Sequence, residues 1–151
     1  MFFIYIPVFF ILFLIYLISK KEYYLALTVF SINMAIFGYI FNMGWLRFML
    51  LIYGVAIIHP IIFFFTNKYS SKFIHKSKLL KIIYILFNIS FFIPYIILPD
   101  FADTGGAYSV FGLIHNNYLT YILQFVACIL AFLHIILFFT QIILTIEAKK
   151  I

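Results

Sequence analysis

The sequence predicts an all-α polytopic membrane protein with five transmembrane helices, its N-terminus outside and its C-terminus inside. Three observations carry this. Hydrophobic residues make up 68% of the 151 and charged residues only 9%, against roughly 45–50% and about 25% in ordinary soluble domains. The apolar residues fall into five runs near the length of about 20 that the lipid core demands of a helix. Nine of the ten Lys and Arg residues lie in segments that five crossings place on one side of the membrane.

The first run, 2–19, is stopped by Lys20-Lys21-Glu22. It lacks a basic leading segment and a small-residue cleavage site, so it reads as a retained helix and not as a signal peptide. A second helix is expected over 23–42. A tight corner through Met43-Gly44-Trp45 and Arg47 leads to a third over 46–66. The fourth covers 82–98, closed by Pro99-Asp100, and the fifth covers 118–146. At about 1.5 Å per residue the fifth is roughly 43 Å long, more than the hydrocarbon thickness of about 30 Å, so it tilts or protrudes. Barrel strands alternate apolar and polar residues, whereas these runs are apolar on every face. The whole chain, 1–151, forms one transmembrane domain.

Orientation follows from Lys and Arg in the connections 20–22, 43–47, 67–81 and 99–117. Lys20, Lys21, Lys68, Lys72, Lys76, Lys78, Lys81, Lys149 and Lys150 share a side, and Arg47 lies opposite with Asp100 and Asp103. The net charge of +6 is thus a topology signal. A nucleic-acid partner is not expected, because a short basic loop supplies no folded basic surface.

Chemistry-bearing motifs are sparse. Cys128 is the single cysteine, and no nucleophile elbow, P-loop or His-Glu-x-x-His helix is present. No catalytic residue and no metal site are therefore expected. All four carboxylates lie at or beyond the span ends, so His59 and His134 are the ionisable groups left at depth. Counting helical rise from the inner boundary places His59 at roughly 12 Å, Asn88 at roughly 10 Å and His134 at about 20 Å. His59 and Asn88 are expected to share a layer below His134. Each histidine has two readings, a packing hydrogen bond or a proton relay. Asn33, Asn88 and Gln124 complete the intramembrane polar set. Pro60 removes one backbone hydrogen bond and Gly54 removes a side chain, so the third helix is expected to be irregular between them. Few small residues occur at helix-packing spacing, which points to a chain stable only within a complex.

The order of these pieces resembles subunit 6 of NADH dehydrogenase, the NuoJ-type core membrane subunit of respiratory complex I. Ser19-Lys20 closes the first span, as a Ser-Lys turn does in that family. Tyr53-Gly54-Val55-Ala56-Ile57 followed by Ile61-Ile62-Phe63-Phe64-Phe65 is similar to the family's third-helix signature, with Gly and Val exchanged. Gly112-Leu113-Ile114, Tyr118-Leu119 and the long last run are similar to its C-terminal part. The departures are the Val-Gly order, His59-Pro60 within the apolar stretch, and Gln124 where an acidic residue is often seen.

The resemblance implies a membrane-arm subunit of proton-pumping NADH:ubiquinone oxidoreductase without catalytic residues or a cofactor of its own. Flavin, iron–sulfur clusters and quinone belong to partner subunits. It implies the mitochondrial inner membrane, or a bacterial inner membrane, with the lipid bilayer and other membrane subunits as partners. The coupling segment implied is Tyr53, Gly54, Val55, Ala56, His59 and Pro60. Two other classes fit the residues: a small bacterial membrane protein for toxin immunity or phage defence, using loop 99–117 as recognition surface, and an oligomeric transporter or channel.

Overall fold

The computed structural model describes the backbone of residues 2–41, 49–50, 52–101, 107–110, 113–114 and 116–151. Five helices dominate: α1 (Phe2–Ser19), α2 (Tyr23–Phe41), α3 (Val55–Ser71), α4 (Lys78–Ile97) and α5 (Asn117–Lys150). A 3₁₀ turn, Ile74–Lys76, precedes α4, and a two-residue antiparallel ladder, β1 (Asp100–Phe101) with β2 (Ala107–Tyr108), follows it. Among the described residues, Tyr23–Ile40, Lys78–Ile97 and Asn117–Lys150 are long and apolar enough to cross a membrane. The chain is a helical membrane protein.

Local chemistry sets the helix ends. Lys21 takes a left-handed backbone (φ 59°), and Glu22 N–H donates to the Leu17 carbonyl at 2.9 Å. This six-to-one closure satisfies carbonyls at the end of α1 and turns the chain directly into α2. Ser77 accepts from Leu80 N–H at 3.2 Å and Asn116 from Leu119 N–H at 3.1 Å, side-chain caps that start α4 and α5. The expected third span is broken near its start, with 49–50 and 52 helical before the break, and it ends later than its hydropathy indicates. Tyr53 and Gly54 form a turn with Gly54 at φ 71°, and α3 then runs from Val55 to Ser71. The connection expected over 67–81 shrinks accordingly, because 67–71 are helical and α4 starts at Lys78. The corner 42–48 and most of the glycine-containing part of loop 99–117 lie outside the described residues.

Side-chain pairs reveal the helix directions. Ser31–Asn88 and Thr28–Tyr84 join α2 to α4 at separations of 57 and 56 residues, so these two helices are parallel. His59–His134, Asn67–Gln141 and Ser70–Thr145 join α3 to α5 at 75, 74 and 75 residues, again parallel and in register. Tyr95 and Phe91 meet His59 and Phe63 with numbers running oppositely, so α3 and α4 are antiparallel. Helix α4 is the hub: it packs on α2 and α5, and its Phe87 and Phe91 share a buried cluster with Ile32, Ala35, Phe63 and Leu137. A second cluster, Leu17, Leu25, Ala26 and Val29, seals α1 to α2.

Candidate proton-relay site

The site lies where α3, α4 and α5 meet. His59 Nδ1 is 2.9 Å from the Tyr95 hydroxyl, and His59 Nε2 is 3.1 Å from His134 Nε2. His134 Nδ1 is 3.0 Å from Ser90 Oγ, which donates to the Phe87 carbonyl at 3.0 Å. Proton positions follow from that last bond. With its hydroxyl proton on Phe87, Ser90 accepts from His134 Nδ1–H. His134 Nε2 is then an acceptor, filled by His59 Nε2–H, and His59 Nδ1 accepts from Tyr95. Four side chains from three helices thus form one directional chain in which both histidines are neutral and every ring nitrogen is used.

Aromatic rings hold this chain in place. Phe87 stacks on the His134 ring at 4.4 Å, Phe91 lies 5.0 Å from His59, and Phe63 stacks on Phe91 at 3.8 Å between centroids. Ring packing of this kind fixes imidazole orientation and excludes water from the contacts. On the other side the chain borders a cavity of about 490 Å³, lined by His59, Ser90, Tyr95 and His134 among apolar residues such as Ile58 and Ile135. No charged side chain lines it among the described residues. A volume of this order is ordinary for a small-molecule pocket.

Two imidazoles facing each other through Nε2 can share and pass a proton. As metal ligands they are half of a tetrahedral set, and no group of three or more His, Cys, Asp or Glu able to hold a metal occurs among the described residues.

The structure brings some expected residues together and separates others. His59 and His134 touch, whereas helical counting set them in different layers. Asn67 had been taken as the inner boundary of the third span, but it is fully buried in α3 opposite Gln141, so the His59 count began too far along the helix, whereas the His134 count began at Glu147. Asn88 does not share a layer bond with His59: it accepts from Ser31 at 3.1 Å and donates to the Tyr84 carbonyl at 2.8 Å. Asn33 and Gln124 are half-buried and stand outside the relay. Tyr53 is exposed (74%), and Val55 opens α3. Ala56 and Pro60 border a second cavity of about 100 Å³ beside Tyr95.

The irregularity expected between Gly54 and Pro60 sits at Tyr53–Gly54 instead; α3 is α-helical from Val55 through Pro60 to Ser71, with no π-turn. Nor does Gly54 serve close helix approach, since an added Cβ would meet only Ile58 Cδ1 at 3.6 Å. Its role is the positive φ. The close approach belongs to Gly38, where a Cβ would lie 2.5 Å from the Tyr95 carbonyl oxygen. Gly38, Ser90, Tyr95, Asn67 and Gln141 were not anticipated. The available signal was spacing: His59, Phe63, Asn67, Ser70 and His134, Leu137, Gln141, Thr145 each mark one face of a helix.

Comparison with protein-family models, with curated proteins and with solved structures returns no match.

Proposed function

We propose that this chain transfers protons within the membrane through Tyr95, His59, His134 and Ser90. The setting proposed is the one its resemblance implies, a membrane-arm subunit of NADH:ubiquinone oxidoreductase. The observation that carries this is the directional hydrogen-bonded chain across α3, α4 and α5. A proton taken up at His59 Nδ1 is matched by transfer of its Nε2 proton to His134 Nε2, which leaves His134 as the imidazolium, its Nδ1–H still held by Ser90, until it gives up a proton to the cavity that both rings line. Ionisable groups at membrane depth usually mark such pathways, and the one-sided lysines together with alternating helix directions support five crossings with the C-terminus inside. Redox groups would sit on partner subunits, and the turn at Tyr53–Gly54 gives α3 a hinge next to the relay.

Affinity purification of the tagged chain from its native membranes tests the setting. The expected result is a large assembly with NADH:quinone reductase activity; His59→Phe and His134→Phe assemblies should move fewer protons per NADH oxidised. Recovery of the chain alone, or unchanged pumping in both variants, would overturn the proposal.

One observation favours the toxin-immunity or phage-defence reading. The outer segment is folded back on α4, with Val110 N–H on the Ile96 carbonyl at 3.1 Å and a Ser109–Ile114 bridge beside β1–β2. Such a built cap suits recognition, and co-purification of a toxin or defence protein would support it.

A further inference from the structure

We propose that a single water molecule is bound between α3 and α5, bridging the side chains of Asn67 and Gln141. Both residues are 0% exposed, and they share one bond, Gln141 Nε2–H to Asn67 Oδ1 at 2.8 Å. Among the described residues, Asn67 Nδ2 and Gln141 Oε1 have no hydrogen-bond partner. Buried polar atoms rarely stay unpaired, because each costs on the order of 1–3 kcal/mol in lost solvation.

The chemistry of the pair selects its ligand. Rotating both amides by half a turn reverses the Asn67–Gln141 bond but leaves the same remainder, one N–H donor and one carbonyl acceptor. Rotating only one sets two like groups against each other. In every acceptable arrangement, then, the site presents a donor and an acceptor together. A cation is repelled by the N–H, an anion by the carbonyl, and an apolar group leaves both unpaired. Water accepts from the first and donates to the second.

Its place on the seam gives this water a consequence. Ser70 donates to Thr145, which donates to the Gln141 carbonyl at 2.7 Å, so hydroxyls lie one turn inward. Outward, Phe63 separates the amides from His59–His134. The seam is thus polar on that side of Phe63, and the proposed water sits within its polar half. The inference stands apart from proton transfer: water found in a chain that moves no protons removes the proposed function and keeps this site, and a dry amide pair in a working relay does the opposite.

Magnetisation transfer from water to side-chain amides is the test, on the full chain in nanodiscs of deuterated lipid with ¹⁵N-labelled Asn and Gln. Asn67→Leu and Gln141→Leu assign the two signals. Transfer is expected at both amides and not at Asn88, whose Nδ2 donates to the Tyr84 carbonyl. Absence of transfer at both would overturn the site, as would a saturable shift of both signals on adding Na⁺ or K⁺. If either variant fails to fold, a high-resolution map of the wild-type chain decides: density within hydrogen-bonding distance of both atoms supports the site, and close packing of apolar atoms there rejects it.

Discussion

Two parallel seams run through this bundle, and they differ in how completely their polar groups are tied. Between α2 and α4, Tyr84 donates to the Tyr24 carbonyl at 2.8 Å and meets the Thr28 hydroxyl at 2.6 Å. Ser31 reaches both the Leu27 carbonyl and Asn88, whose amide ends on the Tyr84 carbonyl. Thr28, Ser31, Tyr84 and Asn88 each reach a main-chain carbonyl, and the ionisable groups near this seam, Lys81 and His75, lie at its end against the Tyr24 ring. The α3–α5 seam instead carries two histidines bonded through side chains and two amide atoms without protein partners. Saturated hydrogen bonds hold helices together; a seam with exchangeable protons and open valences has something left to do.

Breaking the first seam should cost the most. Gly38→Val places a side chain against the Tyr95 main chain, which has no flexible end to swing away. A loss of about 3 kcal/mol is expected from overpacking, with a fall in folded yield in detergent, and the relay should be disturbed because Tyr95 is displaced. Normal yield would show that α2 and α4 separate easily.

Next in size is His134→Phe. The ring fits the nest of Phe63, Phe87 and Phe91, so the expected destabilisation is on the order of 1 kcal/mol from the lost hydrogen bonds, while proton transfer is lost. Unfolding in mixed micelles and proton flux, measured on the same preparation, separate the two effects. Tyr84→Phe should do the reverse: it removes hydroxyl bonds worth about 0.6 kcal/mol in a membrane interior and leaves proton flux unchanged. If both variants reduced flux alike, the contrast between the seams would fail.

The smallest effect sharpens orientation alone. Lys76→Cys, at an exposed position in the short connection between α3 and α4, should leave folding unchanged and react with a membrane-impermeant thiol reagent only from the inner side, where the lysine count puts it. Labelling from the outer face would invert the bundle. Ser70 is a poor place for such a probe, being buried against Thr145.

How far this was legible from residues alone depends on which physical quantity each feature rests on. Helix α1 ends and α2 starts where apolar runs meet Lys20-Lys21-Glu22, because charge and hydropathy set those limits. The ends of α3 were misplaced for the same reason: hydropathy does not register a left-handed residue at Gly54, and Asn67 looks like a polar boundary until Gln141 stands opposite it. His59 and His134 stood out as ionisable groups at depth, yet their meeting did not. It depends on the relative register of two helices about 75 residues apart, which no local pattern contains. Ser90 and Tyr95 were hidden by being commonplace in helices and join the hydrogen-bonded chain only through what they face.

That register also bears on assembly. Along α3 and α5, imidazole meets imidazole, amide meets amide and hydroxyl meets hydroxyl, three different matches at nearly constant offset. Sliding α5 by four residues would set His59 against Phe138 or Leu130 and would lose the like-for-like match at all three levels. Helix α5 therefore has one seat on α3, and the histidines proposed to carry protons are among the groups that fix it.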